Sequence, residues 1–253
     1  MRIISKNAFR NAFTLAEVLI TLAIIGVVAA MTMPTLINNT NSAQFKTAYK
    51  KALSVLNQAV VMNIALYDYD LAGTAKCEGA DCGDTKDANG DVVKGTSSLY
   101  NMFASRTNYA GKVGDASDYV IDLTSTGDLD SDIATAIGSK TAADFIVWSA
   151  LDNTGFAYLK DAAACTETAP CFGFIDANGV KGPNKLSTCT STKDPDAEVA
   201  EGTVETYECT NSATINDIFP VRFYDQTIAP ASASARAVLY GNETKQATAE
   251  EDE

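Results

Sequence analysis

The chain has 253 residues, a formal net charge of −13 and no histidine. An acidic balance of this kind excludes a protein that grips nucleic acid, which needs a basic face. The lack of histidine removes Ser–His and Cys–His nucleophilic systems, imidazole proton transfer and imidazole metal ligation; none of the 32 acidic residues falls in a recognisable catalytic motif, so the sequence reads as a non-enzyme.

The first twelve residues, MRIISKNAFRNA, carry Arg2, Lys6 and Arg10 and no acid. A short basic head before an apolar run reads as positive-inside: N-terminus in the cytoplasm, the rest exported. The run from Phe13 to Met33 is 21 residues long, roughly 31 Å as a helix and enough to cross a bilayer core. From Val18 through Phe45 no residue is charged, and Pro34 follows without stopping the helical pattern. Glu17 stands alone inside the apolar segment. A carboxylate there costs about 2.5–3.5 kcal/mol at mid-membrane and less near an interface, so it is a functional residue by default. Two plainer readings stand beside this one. The segment is a single-span anchor with a tolerated interfacial acid, or a signal peptide cut after a small-residue site such as Val28-Ala29-Ala30. The acid and the long helix with its proline fit a signal-peptide core poorly.

The stretch AFTLAEVLITL, Ala12 to Leu22, resembles the prepilin N-terminal cleavage and methylation motif of type IV pilins and type II secretion pseudopilins. The resemblance implies that a membrane peptidase cuts the Ala12–Phe13 bond and that the new amine on Phe13 is methylated. It implies that Glu17 is the family's acid, which pairs with the terminal amine of a neighbouring subunit and sets the register of assembly, and that Pro34 is its helix-bending proline. In low dielectric such a pair attracts strongly, and either charge left alone is costly. Ala12 departs from the family's usual glycine, which implies slower cutting. The turn DANGVKGPN, Asp176 to Asn184, resembles a Gly/Asn-rich turn of one bacterial branch of these proteins.

Beyond the membrane segment, Phe45, Tyr49, Ala52, Leu53, Leu56, Val60 and Ile64 recur at three- and four-residue spacing, with Lys46, Lys50, Lys51, Asn57 and Gln58 around the rest of the circumference. This pattern predicts one helix from Phe13 to about Leu66, its second half packing on a globular domain. The segment Tyr67–Gly95 reads as a loop, and Thr96 to Arg106 as a helix capped by Thr96 or Ser97. Strands are expected at Asp144–Asp152, Phe156–Lys160, Cys171–Asp176 and Pro220–Gln226, the first two as a hairpin across Asn153–Gly155 and the third ended by Asn178–Gly179. The fold class expected is α+β: a long transmembrane and amphipathic N-terminal helix packed on a small antiparallel sheet, as in the pilin-like roll.

Cys77, Cys82, Cys165, Cys171, Cys189 and Cys209 all lie beyond the membrane segment, and in an oxidising exterior they read as disulfides. Six cysteines allow many pairings; local ones are expected, Cys77–Cys82, Cys165–Cys171 and Cys189–Cys209. The last would close a Ser/Thr/Glu-rich insert, Lys185 to Ser212, which is either a tied surface loop or the place where partner specificity lies.

The domains expected are a basic leader, 1–12, which is removed; a transmembrane and filament-core helix segment, 13–37; a periplasmic or extracellular globular domain, 38–240; and an acidic disordered tail, 241–253. Loss of the three leader cations takes the charge to −16. The function expected is a structural subunit of a type IV pilus or type II secretion pseudopilus, held in the bacterial inner membrane before assembly. Its partners would be the prepilin peptidase/methyltransferase, other pilin or pseudopilin subunits and the inner-membrane assembly platform. The alternative is a single-span anchored binding or adhesive domain that does not polymerise. No cofactor and no metal ligand are assigned. Major pseudopilins of the resembled family bind calcium, and Asp128–Asp132 and Asp87–Asp91 offer alternating acids, but neither completes an EF-hand loop.

Overall fold

The computed structural model describes residues 14–76, 98–107, 109–112, 129–138, 140–141, 144–179, 181–193, 207–209 and 213–241. Two units, Met1–Asn41 and Ser42–Glu253, are described separately. The helix α1, Leu15–Tyr67, contributes to both.

In the first unit α1 carries the apolar segment and continues through Pro34 without a break in its helical backbone. In the second unit its residues sort by the predicted period. Tyr49, Ala52, Leu53, Leu56, Ala59 and Val60 are buried, Phe45 and Ile64 partly so, and Lys46, Lys50 and Lys51 exposed. Tyr49 stacks on Phe219 with ring centroids 4.2 Å apart, and burial pushes its phenol pKa up. Each large side chain of this face contributes about 1.5–3 kcal/mol through area removed from water. The helix ends at Asp68, which adopts a left-handed φ of 61° while its N–H donates to the Ile64 carbonyl. An aspartate tolerates this conformation better than most side chains, so it serves where glycine is usual.

After α1 the chain forms α2 (Leu99–Arg106), β1 (Tyr109–Lys112), α3 (Ser131–Ile137), β2 (Phe145–Ala150), β3 (Gly155–Leu159), β4 (Cys171–Asp176), β5 (Ser191–Lys193), β6 (Tyr207–Cys209), β7 (Ile218–Tyr224), β8 (Thr227–Pro230) and α4 (Ala233–Tyr240). The main sheet has six strands in the order β1-β2-β3-β4-β7-β8, antiparallel at every junction; β5 and β6 pair separately. The four expected strands are present as β2, β3, β4 and β7. Among the described residues β1 and β8 join these four, adding an edge on each side. The cap of α2 is Ser98, whose hydroxyl accepts from the Asn101 N–H, rather than Thr96 or Ser97, which lie outside the described residues.

The sheet is buried on both faces, and strand alternation decides which side chain goes where. Ile146, Trp148, Phe156, Tyr158 and Ile175 join the α1 face with Leu99, Met102 and Phe103 of α2. Phe145, Val147, Ala157, Leu159, Phe172 and Phe174 join the opposite face with Leu129 and with Ile133 and Ile137 of α3. Two-sided burial explains why β2 reads as an unbroken apolar run, FIVW. Gly173 is required at the centre: a Cβ there would press into the Ala157 carbonyl of β3. The architecture is α+β, an N-terminal apolar helix with an antiparallel sheet, and fits a pilin-like fold.

Among the described residues two disulfides tie the domain. Cys165–Cys171 closes a tight loop before β4, with Cα atoms 5.2 Å apart, and Cys189–Cys209 joins the strand ends of the β5–β6 ribbon. Closing loops of these sizes contributes about 2–3 kcal/mol each in the chain-entropy account. Cys77 and Cys82 lie outside the described residues, as do the leader 1–12 and the tail 242–253.

Candidate functional site

The site that the sequence singles out lies at the start of α1. Leu15–Met33 has a mean hydropathy of 2.3 and is long and apolar enough to cross a membrane. Leu15, Leu19, Ile20, Leu22, Ile24, Ile25, Val28 and Met31 are all more than half exposed. A continuous apolar surface of this size needs lipid or the same surface of another protein. The threonines inside it cost little: Thr21 donates to the Val18 carbonyl at 3.0 Å and Thr32 to the Val28 carbonyl at 3.1 Å, so their hydroxyls are satisfied within the helix.

Glu17 occupies the third position of the helix, and its carboxylate turns back to the end. Its Oε2 accepts from the Thr14 N–H at 2.8 Å and from the Thr14 hydroxyl at 2.9 Å. The Thr14 Oγ1 in turn accepts from the Glu17 N–H at 3.2 Å. This is a reciprocal capping box, which satisfies two of the amide donors that every helix leaves free at its start. A negative charge is also favoured at that end of the helix dipole. The acid therefore has a use inside its own chain, and Thr14 is a partner that the reading of Glu17 as a lone charge missed. The signal was present: Thr14-Leu15-Ala16-Glu17 is a threonine followed three residues later by glutamate, ahead of an apolar run.

Ala12 and Phe13, the expected cleavage and methylation positions, lie outside the described residues, and so does the side chain of Pro34. Of the acidic turns considered for calcium, 87–91 and Asp128 lie outside them too. Asp130 and Asp132 are committed elsewhere. Asp130 is fully buried; its carboxylate receives Arg236 through two nitrogens at 2.7 and 2.8 Å and also Arg222, which reaches Asp132 at 3.2 Å. The network joins the start of α3 to β7 and α4, and burial pushes the Asp132 carboxyl above its ordinary pKa. Among the described residues no three His, Cys, Asp or Glu side chains gather as a metal cluster.

A cavity of about 360 Å³ opens between α1 and the β2–β3 hairpin, walled by Val55, Leu56, Trp148 and Phe156. Its rim carries Lys51 and Asp152 as an exposed ion pair at 2.8 Å. Asn57, expected on the solvent side of α1, instead faces β8. Its amide nitrogen donates to the Ile228 carbonyl at 3.1 Å and its oxygen accepts the Ile228 N–H at 2.9 Å, so a helix side chain caps the edge strand as a further strand would.

No curated protein and no solved structure matches the chain. Residues 8–33 match the family model described as the prokaryotic N-terminal methylation motif, the prepilin-type signal of type IV pilins and pseudopilins; the match ends before the globular domain begins.

Proposed function

We propose that the chain is a prepilin-type filament subunit. It is held as a single-span inner-membrane protein with its N-terminus in the cytoplasm and its domain on the far side. It is cut between Ala12 and Phe13, methylated on Phe13, and assembled through the apolar segment of α1 into a type IV pilus or a type II secretion pseudopilus. The observation that carries the reading is one coincidence in space. The part of the methylation motif from Leu15 to Met33 lies on a helix whose apolar side chains are exposed on every side. In the membrane lipid covers them, and in a filament the same segments of neighbouring subunits do. The acid of the motif, Glu17, then meets the ammonium of a neighbour's first residue and fixes how far each incoming subunit slides. The partners are the prepilin peptidase/methyltransferase, other subunits and the assembly platform; the chain carries out no chemistry of its own.

Intact-mass and N-terminal peptide analysis of the protein from its host's membranes tests the first step. A mature chain beginning at Phe13 with one added methyl group is expected. A chain beginning at Met1, or near Met31, refutes it. The capping box gives a second reading its footing: Glu17 is spent on its own helix, and the chain is an anchored binding domain that never polymerises. The two part company on substitution of Glu17, developed in the Discussion.

A further inference from the structure

The base of the β5–β6 ribbon holds two buried carboxylates that the filament reading does not use. Asp176 ends β4 and is 2 % exposed; Asp217 leads into β7 and is fully buried. Asp176 Oδ1 accepts the N–H groups of Asn178 and Gly179, both at 2.9 Å. The Asp217 oxygens accept those of Asn184 at 2.8 Å and Lys185 at 2.9 Å, and its own carbonyl accepts the Ala177 N–H at 2.7 Å. Asp176 therefore ties the turn after β4, and Asp217 ties the incoming root of the ribbon at Asn184 and Lys185 to the start of β7, where the Ile218 N–H donates to the Lys185 carbonyl at 3.0 Å.

The inventory of donors is short. Asp176 Oδ2, Asn178 Oδ1 and Asn184 Oδ1 are buried with no hydrogen-bond partner. All three are acceptors, and an unmade hydrogen bond at a buried acceptor is costly. The Asn178 amide is oriented by its nitrogen, which donates to the Gly182 carbonyl at 3.3 Å, so its oxygen cannot turn away. A proton on Asp176 removes the buried charge and turns its Oδ2 from an unpaired acceptor into a donor. Among the described residues no cation pairs with Asp176. Lys181 and Lys185 are exposed, Arg222 of β7 is committed to Asp130 and Asp132, and Asp152 of the β2–β3 turn is paired with Lys51. Among the described residues neither Asp176 nor Asp217 makes an ion pair.

We propose that Asp176 and Asp217 form a proton-operated clasp at the base of the β5–β6 ribbon, tight in mild acid and progressively loosened towards neutral pH. The clasp works whether or not the chain polymerises. Burial first, and then the charge of Asp217, raise the Asp176 carboxyl to about 8 against the two amides that oppose the shift. When the clasp opens, Asp176 meets water and ionises at the ordinary carboxylate value. Between that value and about 8 the open form therefore releases a proton that the closed form keeps. The opening equilibrium rises about tenfold per pH unit in that window and levels off above it.

Hydrogen exchange on the full chain in detergent micelles tests this, with intrinsic rates corrected for pH. The amides of Asn178, Gly179, Asn184 and Lys185 are expected to open about tenfold more for each unit from about pH 5 to about pH 7. Asp176→Asn, which is neutral at every pH and keeps the Oδ1 acceptor, is expected to make that opening independent of pH. Carboxyl ¹³C titration of the unsubstituted protein serves if the variant folds poorly, and Asp176 is expected to titrate well above the other aspartates. Opening that does not change with pH, or an Asp176 that titrates in the ordinary carboxylate range, overturns the proposal. So does saturable protection of the same four amides by millimolar calcium chloride at neutral pH, since the oxygens would then be holding a cation rather than a proton.

Discussion

Glu17→Gln separates the two uses of the acid in one substitution. Glutamine keeps an amide oxygen at the third helix position, and a threonine cap followed by glutamine is as good a capping box as one followed by glutamate. The bonds from the Thr14 N–H and hydroxyl, at 2.8 and 2.9 Å, therefore survive. What disappears is the charge. A unit pair at about 4 Å in an effective dielectric of about 20 attracts by about 4 kcal/mol, close to three decades in an equilibrium constant at about 1.4 kcal/mol per decade. If Glu17 docks on the neighbour's terminal ammonium, the substitution leaves helix content and thermal midpoint unchanged and reduces assembly to below detection. Electron microscopy and shearing of surface filaments read the yield. Thr14→Val is the complement: it removes the hydroxyl, costs about 1 kcal/mol at the helix start and leaves the charge, so filaments persist. Glu17→Gln filaments at normal yield would falsify the charge-pairing argument and make Glu17 a helix cap with no role between subunits.

Other substitutions test the domain that the helix carries. Asp130→Ala removes the buried carboxylate that Arg222 and Arg236 share and leaves Arg222 to Asp132 alone; the cost expected is about 3–5 kcal/mol, seen as a drop of about 10 °C or more in thermal midpoint. A change under about 3 °C would mean that the two arginines reach water. Asn57→Ala removes both bonds to Ile228 and is expected to cost about 1–3 kcal/mol, with faster exchange confined to the Ile228 amide and its neighbours in β8. Gly173→Ala is expected to destabilise through displacement of β3 from β4, read as lost protection at Tyr158, whereas a neutral result would show that the strands can part without cost. Removal of Cys189 and Cys209 together is expected to lower stability by about 3 kcal/mol through the longer of the two described loops.

Much of this fold was legible because it is periodic. The three-and-four spacing from Phe45 to Ile64 named the buried face of α1, and the apolar runs at Phe145, Phe156 and Cys171 named the central strands. Local oddity was legible too: Glu17 stood out because a charge in an apolar run needs no distant residue to be seen. What escaped was of two kinds. The short helices α3 and α4 are seven and eight residues long, too short to be stable alone, and exist because Ile133, Ile137, Ala235 and Val238 are buried against strands remote in sequence. The other kind is the polar side chain with a distant partner. Asp130 looked like part of an acidic turn open to a cation, yet its partners Arg222 and Arg236 stand 92 and 106 residues further on. Asn57 looked like a solvated helix position, yet it bonds a strand 171 residues away. Nothing in the neighbours of either residue encodes these meetings, because they are made by the order of strands in the sheet and not by any local pattern. The same limit bears on the two candidate devices of this protein. The assembly segment could be read from thirty consecutive residues. The clasp at Asp176 could not, since its second carboxylate arrives only when β7 pairs with β4.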